Sequence, residues 1–252
     1  MKREYWNGLS EKYEDEIFSV LENDKKRLVC GFIEKYGAQS KTVNDFGCGI
    51  GHFIGVLSKN FRNVNAIDIS YKFIARAKNK YKHLSNINYK VADLAGDDFK
   101  IPKSHFGLSV NLLIMPSHPV RIKILDCMVR HISKNGHLIL VVPSIESVML
   151  TNYMLAHWNL RDGIEPVNAF SANFSDQKIY SKNLRHGIIP IAGVPTKHYL
   201  KEELEVMMNA KKMQIIEMQK IEYSWDSEFE SSPKWMKAPY PWDWLVLAQK
   251  KG

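Results

Sequence analysis

The feature that most constrains this chain lies at residues 42–53, where a short β-branched run (Thr42, Val43) leads into Asn44-Asp45-Phe46-Gly47-Cys48-Gly49-Ile50-Gly51. Three glycines stand on alternate positions, and an apolar segment compatible with a helix follows at once: Phe53, Ile54, Val56, Leu57. A strand that ends in a glycine turn and opens a helix is the layout that receives an adenosine-containing ligand in open α/β sheets. Glycine lets the turn take backbone angles that other residues resist, and without a Cβ the backbone can approach a ligand closely. The dinucleotide fingerprint is spaced G-x-G-x-x-G, with the pyrophosphate on the helix N-terminus. Here the spacing is G-x-G-x-G, with a carboxylate, Asp45, two residues before the first glycine. An acid at that point suits a ligand with a cationic head better than a pyrophosphate.

The rest of the chain alternates in a way that fits this turn. Strand one covers about 42–46 and its helix about 51–60; strand two is 64–68, with a helix at about 71–82. Strand three is 87–91, strand four 106–110, and a helix at about 118–133 would bury Val120, Ile124, Leu125, Met128 and Ile132. Lys134-Asn135-Gly136 then turns the chain into strand five, 137–142, a continuous apolar run of the kind buried in a parallel sheet. Alternating strands and helices indicate a doubly wound, mostly parallel sheet. Before it lies an N-terminal helical cap over 1–40, where Ile17, Val20, Leu21, Leu28 and Phe32 mark one face and Gly37 is placed to end the helix. After Pro143 the rhythm breaks. Residues 144–199 read as one helix, Ile145 to Trp158, followed by loop-rich sequence, and regularity returns with a helix at about 200–210 and strands at 213–223 and 242–249.

Asp45-Phe46-Gly47-Cys48-Gly49-Ile50-Gly51 resembles the first motif of the class I S-adenosylmethionine-dependent methyltransferases, which read (D/E)-x-G-x-G-x-G. The resemblance covers about residues 5–143, with weaker agreement after 200. It implies a single domain over 1–252 with a seven-stranded sheet in the order 3-2-1-4-5-7-6, the last strand antiparallel. Within it, 41–143 would be the cofactor-binding half, 144–199 a substrate cover inserted after strand five, and 200–252 the closing helix and strands.

The resemblance also implies the cofactor, S-adenosylmethionine, and the residues that hold it. Asp45, Gly47, Gly49 and Gly51 form the turn. Asp68, which ends strand two 17 positions after Gly51, would accept hydrogen bonds from the ribose hydroxyls, with Ile69 beside it. A helix cap is the other reading of Asp68, because Asp68-Ile69-Ser70 also precedes a helix. Asp93 and Leu94 follow strand three, where the family meets adenine; Asp97 and Asp98 compete with Asp93 for that place. Asn111, straight after strand four, would line the methionine end, and Tyr13 in the N-terminal helix would fold over the cofactor.

Methyl transfer from a sulfonium needs chiefly alignment in a dry pocket, so the family has no fixed catalytic residue. A base helps when the acceptor is a hydroxyl or a protonated amine. His118, His157, His186, His198, Tyr153 and Tyr199 are the candidates, each with an ordinary packing role as its alternative. Strand four ends in Asn111-Leu112-Leu113-Ile114, without the prolines and aromatic of the (N/D)-P-P-Y motif of amino-methylating nucleic-acid enzymes. Cys127, placed mid-helix, is a poor nucleophile for pyrimidine chemistry. The expected function is therefore methylation of a small molecule at oxygen or nitrogen. RNA or protein methylation and a non-catalytic S-adenosylmethionine-binding role are the alternatives, and an NAD-dependent oxidoreductase comes last.

Composition sets outer limits. The 252 residues carry a net charge of +8, which permits an anionic partner such as nucleic acid, but the basic residues are scattered over predicted helix surfaces. No run approaches the roughly 20 apolar residues of a membrane span. Three separated cysteines (Cys30, Cys48, Cys127) form neither a zinc pattern nor a disulfide framework. The expectation is a cytoplasmic, reduced protein without a metal, of open oligomeric state.

Overall fold

A computed structural model describes residues 3–9, 18–96, 100–171, 183–191 and 193–252. Its centre is a seven-stranded sheet of β1 (Ala38–Phe46), β2 (Phe61–Asp68), β3 (Ile87–Val91), β4 (Ser104–Val110), β5 (Ile132–Pro143), β8 (Met213–Glu222) and β9 (Trp242–Lys250). The spatial order is β3-β2-β1-β4-β5-β9-β8. The first five strands are parallel, whereas β9 pairs antiparallel with both β5 and β8. This is the expected order. The two closing strands are the eighth and ninth of the chain only because the cover contributes a hairpin of its own, β6 (Ile188–Ile191) and β7 (Val194–Lys197). That hairpin stands where the sequence reads as loop. Its strands are four residues each and interrupted by Pro190 and Pro195, which hides the alternation that marks a strand.

Helices cover both faces. On one, α1 (Arg3–Gly8) and the short α2 (Val20–Asn23) precede α3 (Leu28–Tyr36), α4 (Ile54–Asn60) and α5 (Tyr71–Lys80). On the chain go α6 (His118–Arg130), α7 (Ile145–Arg161), α8 (Pro166–Ser171) and α9 (Lys201–Ala210). The single apolar face expected over the N-terminal cap is broken between α2 and α3. Arg27 takes φ +53°, and the buried Asp24 carboxylate accepts the Val29 N–H at 2.9 Å, starting a new helix. Ser10, Tyr13 and Ile17 lie outside the described residues.

Two apolar clusters sandwich the sheet. Val29, Ile33, Leu57, Leu108, Val141 and Leu245 fill one side; Phe46, Leu125, Met128, Leu140, Leu204 and Val246 fill the other. β5 explains why: Leu138, Leu140 and Val142 face one cluster and Ile139 and Val141 the other, so the strand is apolar throughout. It is longer than expected, beginning at Ile132; Asn135 at φ +59° takes up the register shift against β4 that the sequence presents as a turn.

The cover is clipped to the end of β5. Tyr199 N–H donates to Pro143 O at 2.8 Å and Ile145 N–H to Tyr199 O at 3.1 Å, so the 144–199 segment leaves and returns at one point. Lys197 N–H donates to Ile114 O at 2.7 Å, tying the hairpin to the segment after β4. The 144–199 segment is thus anchored at the end of β5 and just past β4, at the edge where open α/β sheets bind ligands.

Candidate functional site at the carboxyl edge of the sheet

Gly47, Gly49 and Gly51 all take positive φ, +73°, +53° and +88°. The turn is pinned to the neighbouring strand: Gly47 N–H and Cys48 N–H both donate to Ile67 O, at 2.8 and 2.9 Å. A Cβ on Gly51 would stand 2.7 Å from Ile54 Cδ1 and 3.1 Å from Tyr81 Cε2. One on Gly47 would meet Leu112 Cδ1 at 2.8 Å. Glycine is therefore required twice over, by backbone angle and by space.

Two carboxylates flank this turn. Asp68 is buried, and its Oδ2 accepts the Gly49 N–H at 2.9 Å while Oδ1 accepts the Ser70 N–H at 2.8 Å. Ser70, not Asp68, caps α5, its hydroxyl accepting Phe73 N–H at 3.2 Å. The Ile69 N–H bears on the same Asp68 carboxylate. Burial raises its pKa to about 6 against the lowering effect of these N–H donors. Asp45, on β1 between Ala66 and Leu108, is pushed up to about 7, first by burial and then by the charge of Asp68. Two buried acids that repel one another beside a glycine turn make a strong site for a cation.

The N-terminal helix borders the same place. Ser70 Oγ–H donates to Asn7 Oδ1 at 2.7 Å, and Trp6 meets Phe73 edge-on at 6.4 Å. Ile69 is half-buried between Asp68 and that contact. On the other side, Asp93 is exposed and its Oδ1 accepts Ala95 N–H at 2.9 Å, shaping the turn after β3. The Leu94 side chain goes into the core, which leaves only its backbone for a ligand. Asp97 and Asp98 lie outside the described residues.

Asn111 takes φ +50°, and its N–H donates to Val141 O at 2.9 Å, turning the chain sharply where β4 ends. Its side chain bears on the Asp243 carboxylate and favours its ionised form, while its Oδ1 is buried with no partner among the described residues. The sequence reading passed over Asp243. The available signal was an acid at the second position of an otherwise apolar strand, Trp242-Asp243-Trp244-Leu245-Val246. Because β9 runs antiparallel, its first residues come to the edge where the parallel strands end.

The candidate bases are scattered. His118 is exposed at the start of α6, 3.4 Å from an Arg121 nitrogen. His157 is stacked with Tyr153 and lies edge-on to Trp235, 5.5 Å away. His186 is exposed, its carbonyl accepting the Lys197 ammonium at 3.0 Å. His198 is buried, 3.0 Å from Thr196 O, and desolvation lowers its pKa to about 4, so the ring is neutral at pH 7. The Tyr199 hydroxyl is committed to Leu113 O at 2.7 Å, and burial raises its pKa. None of these is brought against the glycine turn by a contact. Among the described residues no group of His, Cys, Asp or Glu is arranged to hold a metal, and no helix is long and apolar enough to cross a membrane. All three cysteines are buried and free.

The sheet order, the antiparallel β9 and the glycine turn after β1 make this the class I S-adenosylmethionine-dependent methyltransferase fold, and residues 43–136 match the family model described as a methyltransferase domain. The fold is similar to that of the N-methyltransferase NodS from Bradyrhizobium japonicum WM9 in complex with S-adenosyl-L-homocysteine. The TM-score is 0.60 at 12% identity, covering 98% of this chain and 99% of that one. In sequence, 57 residues (23% of this chain) are 42% identical to phosphoethanolamine N-methyltransferase 1 of Caenorhabditis elegans. Another 120-residue match, 47% of this chain, is 26% identical to phosphoethanolamine N-methyltransferase of Triticum aestivum. These matches span only 12% and 23% of those two relatives.

Proposed function

We propose that the chain transfers the methyl group of S-adenosylmethionine to a small-molecule acceptor, at nitrogen or oxygen. The observation that carries this is the glycine turn with two buried, mutually repelling carboxylates, Asp45 and Asp68, on its flanks. The cofactor brings an ammonium and a sulfonium and no phosphate, which is the charge this edge lacks. Asp68 would accept the ribose hydroxyls, Asp93 and the Leu94 backbone would meet adenine, and Asn111 would border the methionine end. Asp45 would balance the cationic head through the turn, and Ile69 and Tyr13 would close over the nucleoside.

When bound, the cofactor supplies an electrophilic methyl. The protein's own part is to hold the acceptor in line with it and keep water out. The cover clipped to the ends of β5 and to Ile114 favours an enclosed acceptor over a polymer lying across an open face. The two phosphoethanolamine N-methyltransferases among the relatives favour nitrogen. The test is labelled-methyl transfer into a cell extract fractionated by size. Label in the small-molecule fraction is expected; label confined to RNA or protein would overturn the reading, and none at all with cofactor binding intact would favour a non-catalytic binder.

A further inference from the structure

Among the described residues, Asp243 has no cationic partner. It begins β9 opposite Pro143 and Ile221, and is buried. The Tyr223 hydroxyl donates to its Oδ2 at 2.9 Å, and the Asn111 side chain favours its ionised form. The charged groups that bear on this pair are all acids: Glu228 on Asp243, and Asp24, Glu228 and Asp243 itself on Tyr223. Among the described residues no cationic side chain bears on them, in a chain whose net charge is +8. A buried carboxylate is ordinarily paired with a cation, because leaving it unpaired is costly. Burial accordingly raises Asp243 to about 6, with Glu228 adding to the rise. The second feature is Asn111 Oδ1, buried and without a hydrogen-bond partner among the described residues. It belongs to the same residue that bears on Asp243, so two acceptors stand near one another where β4 ends and β9 starts.

We infer that Asp243, steadied by Tyr223 and flanked by Asn111 Oδ1, binds the methyl acceptor, and that the acceptor is a primary or secondary amine. This rests on the methyl-transfer reading and deepens it. An ammonium supplies the missing positive charge and enough N–H donors for both acceptors, whereas an alcohol has one donor and no charge. Asn111 follows β4 at the expected methionine end and joins Asp243 to the transferable methyl. In the reaction one ammonium proton passes to the Asp243 carboxylate. The freed nitrogen lone pair then forms the bond to the methyl carbon as the carbon–sulfur bond breaks and sulfur keeps its pair. The products are S-adenosylhomocysteine and the N-methylated ammonium, and the Asp243 proton returns to solvent.

The test uses the full chain, labelled S-adenosylmethionine and the small-molecule fraction of a cell extract, with products sorted by cation exchange into amines and neutral ethers or esters. Label is expected in the amines. Asp243→Asn, which keeps an acceptor for Tyr223, should lower that transfer roughly a hundredfold or more, as when one member of a buried charge pair is removed. Its calorimetric affinity for S-adenosylmethionine should stay within about twofold, because the cofactor's contacts are elsewhere. Asp243→Glu should recover part of the transfer. Label in the neutral products would overturn the inference. So would an Asn variant that methylates amines as well as the native chain, or one whose cofactor affinity falls in step with transfer, which would give Asp243 to the cofactor's own ammonium. Failure of the native chain to bind S-adenosylmethionine would instead sink the methyltransferase reading on which the inference rests.

Discussion

Gly51 shows how closely single residues are specified at the turn. Its φ of +88° disfavours any side chain, and a Cβ would press on Ile54, Tyr81 and Ala77, which pack under the loop. Gly51→Ala is expected to cost about 1–3 kcal/mol in denaturant unfolding. Gly193→Ala, also at positive φ but with nothing within 4 Å of the added Cβ, should cost less. A comparable loss at both would mean that the packing beneath the turn does not matter. This part of the site was legible in the sequence, because glycine spacing and a preceding acid are local. So was the place of Asp68 at the end of β2, though not its burial. Asp243 was not: its meaning depends on Tyr223, 20 positions before it, and on Asn111, which only the sheet order brings alongside.

Among elements, the parallel strands were the easiest to read, since burial on both faces writes itself as unbroken apolar runs such as Leu138 to Val142. Their amino ends were missed. β1 begins with exposed Gln39 and Ser40 at the far edge of the sheet, where strand pairing continues after the apolar signal has stopped. Beyond its first helix, the 144–199 segment was read as loop because its order comes from long-range clips and not from periodicity. Tyr199 is the plainest of these, reaching 86 positions back to Leu113 O. Tyr199→Phe should therefore lower stability by about 1–3 kcal/mol, the cost of leaving a buried carbonyl without its donor. The pH profile of transfer should keep its shape. A profile that loses a limb in this variant would show the phenol to be a catalytic group.

Over the whole molecule, the excess of basic residues and the acidity of the ligand edge are opposed. The net charge is +8, yet Asp45, Asp68 and Asp243 are buried along the carboxyl ends of β1 and β2 and the start of β9, and all three are raised by burial. S-adenosylmethionine bound at the glycine turn favours the ionised forms of Asp45 and Asp68 and so lowers their pKa values. Binding must then release protons where the free groups are still partly protonated, between about pH 5 and 8. By the same linkage, affinity for S-adenosylmethionine should rise with pH across that window and level off above it. The central claim is that the glycine turn and its two carboxylates form a site for this cationic cofactor. Calorimetric titration at about pH 6.5, in two buffers of different ionisation enthalpy, tests it directly. The expected result is binding of S-adenosylmethionine with net proton release, no binding of NAD, and an affinity roughly tenfold or more weaker in Asp68→Ala, the loss of hydrogen bonds to a charged group. Binding of NAD without S-adenosylmethionine, or unchanged affinity in the Asp68 variant, would contradict it.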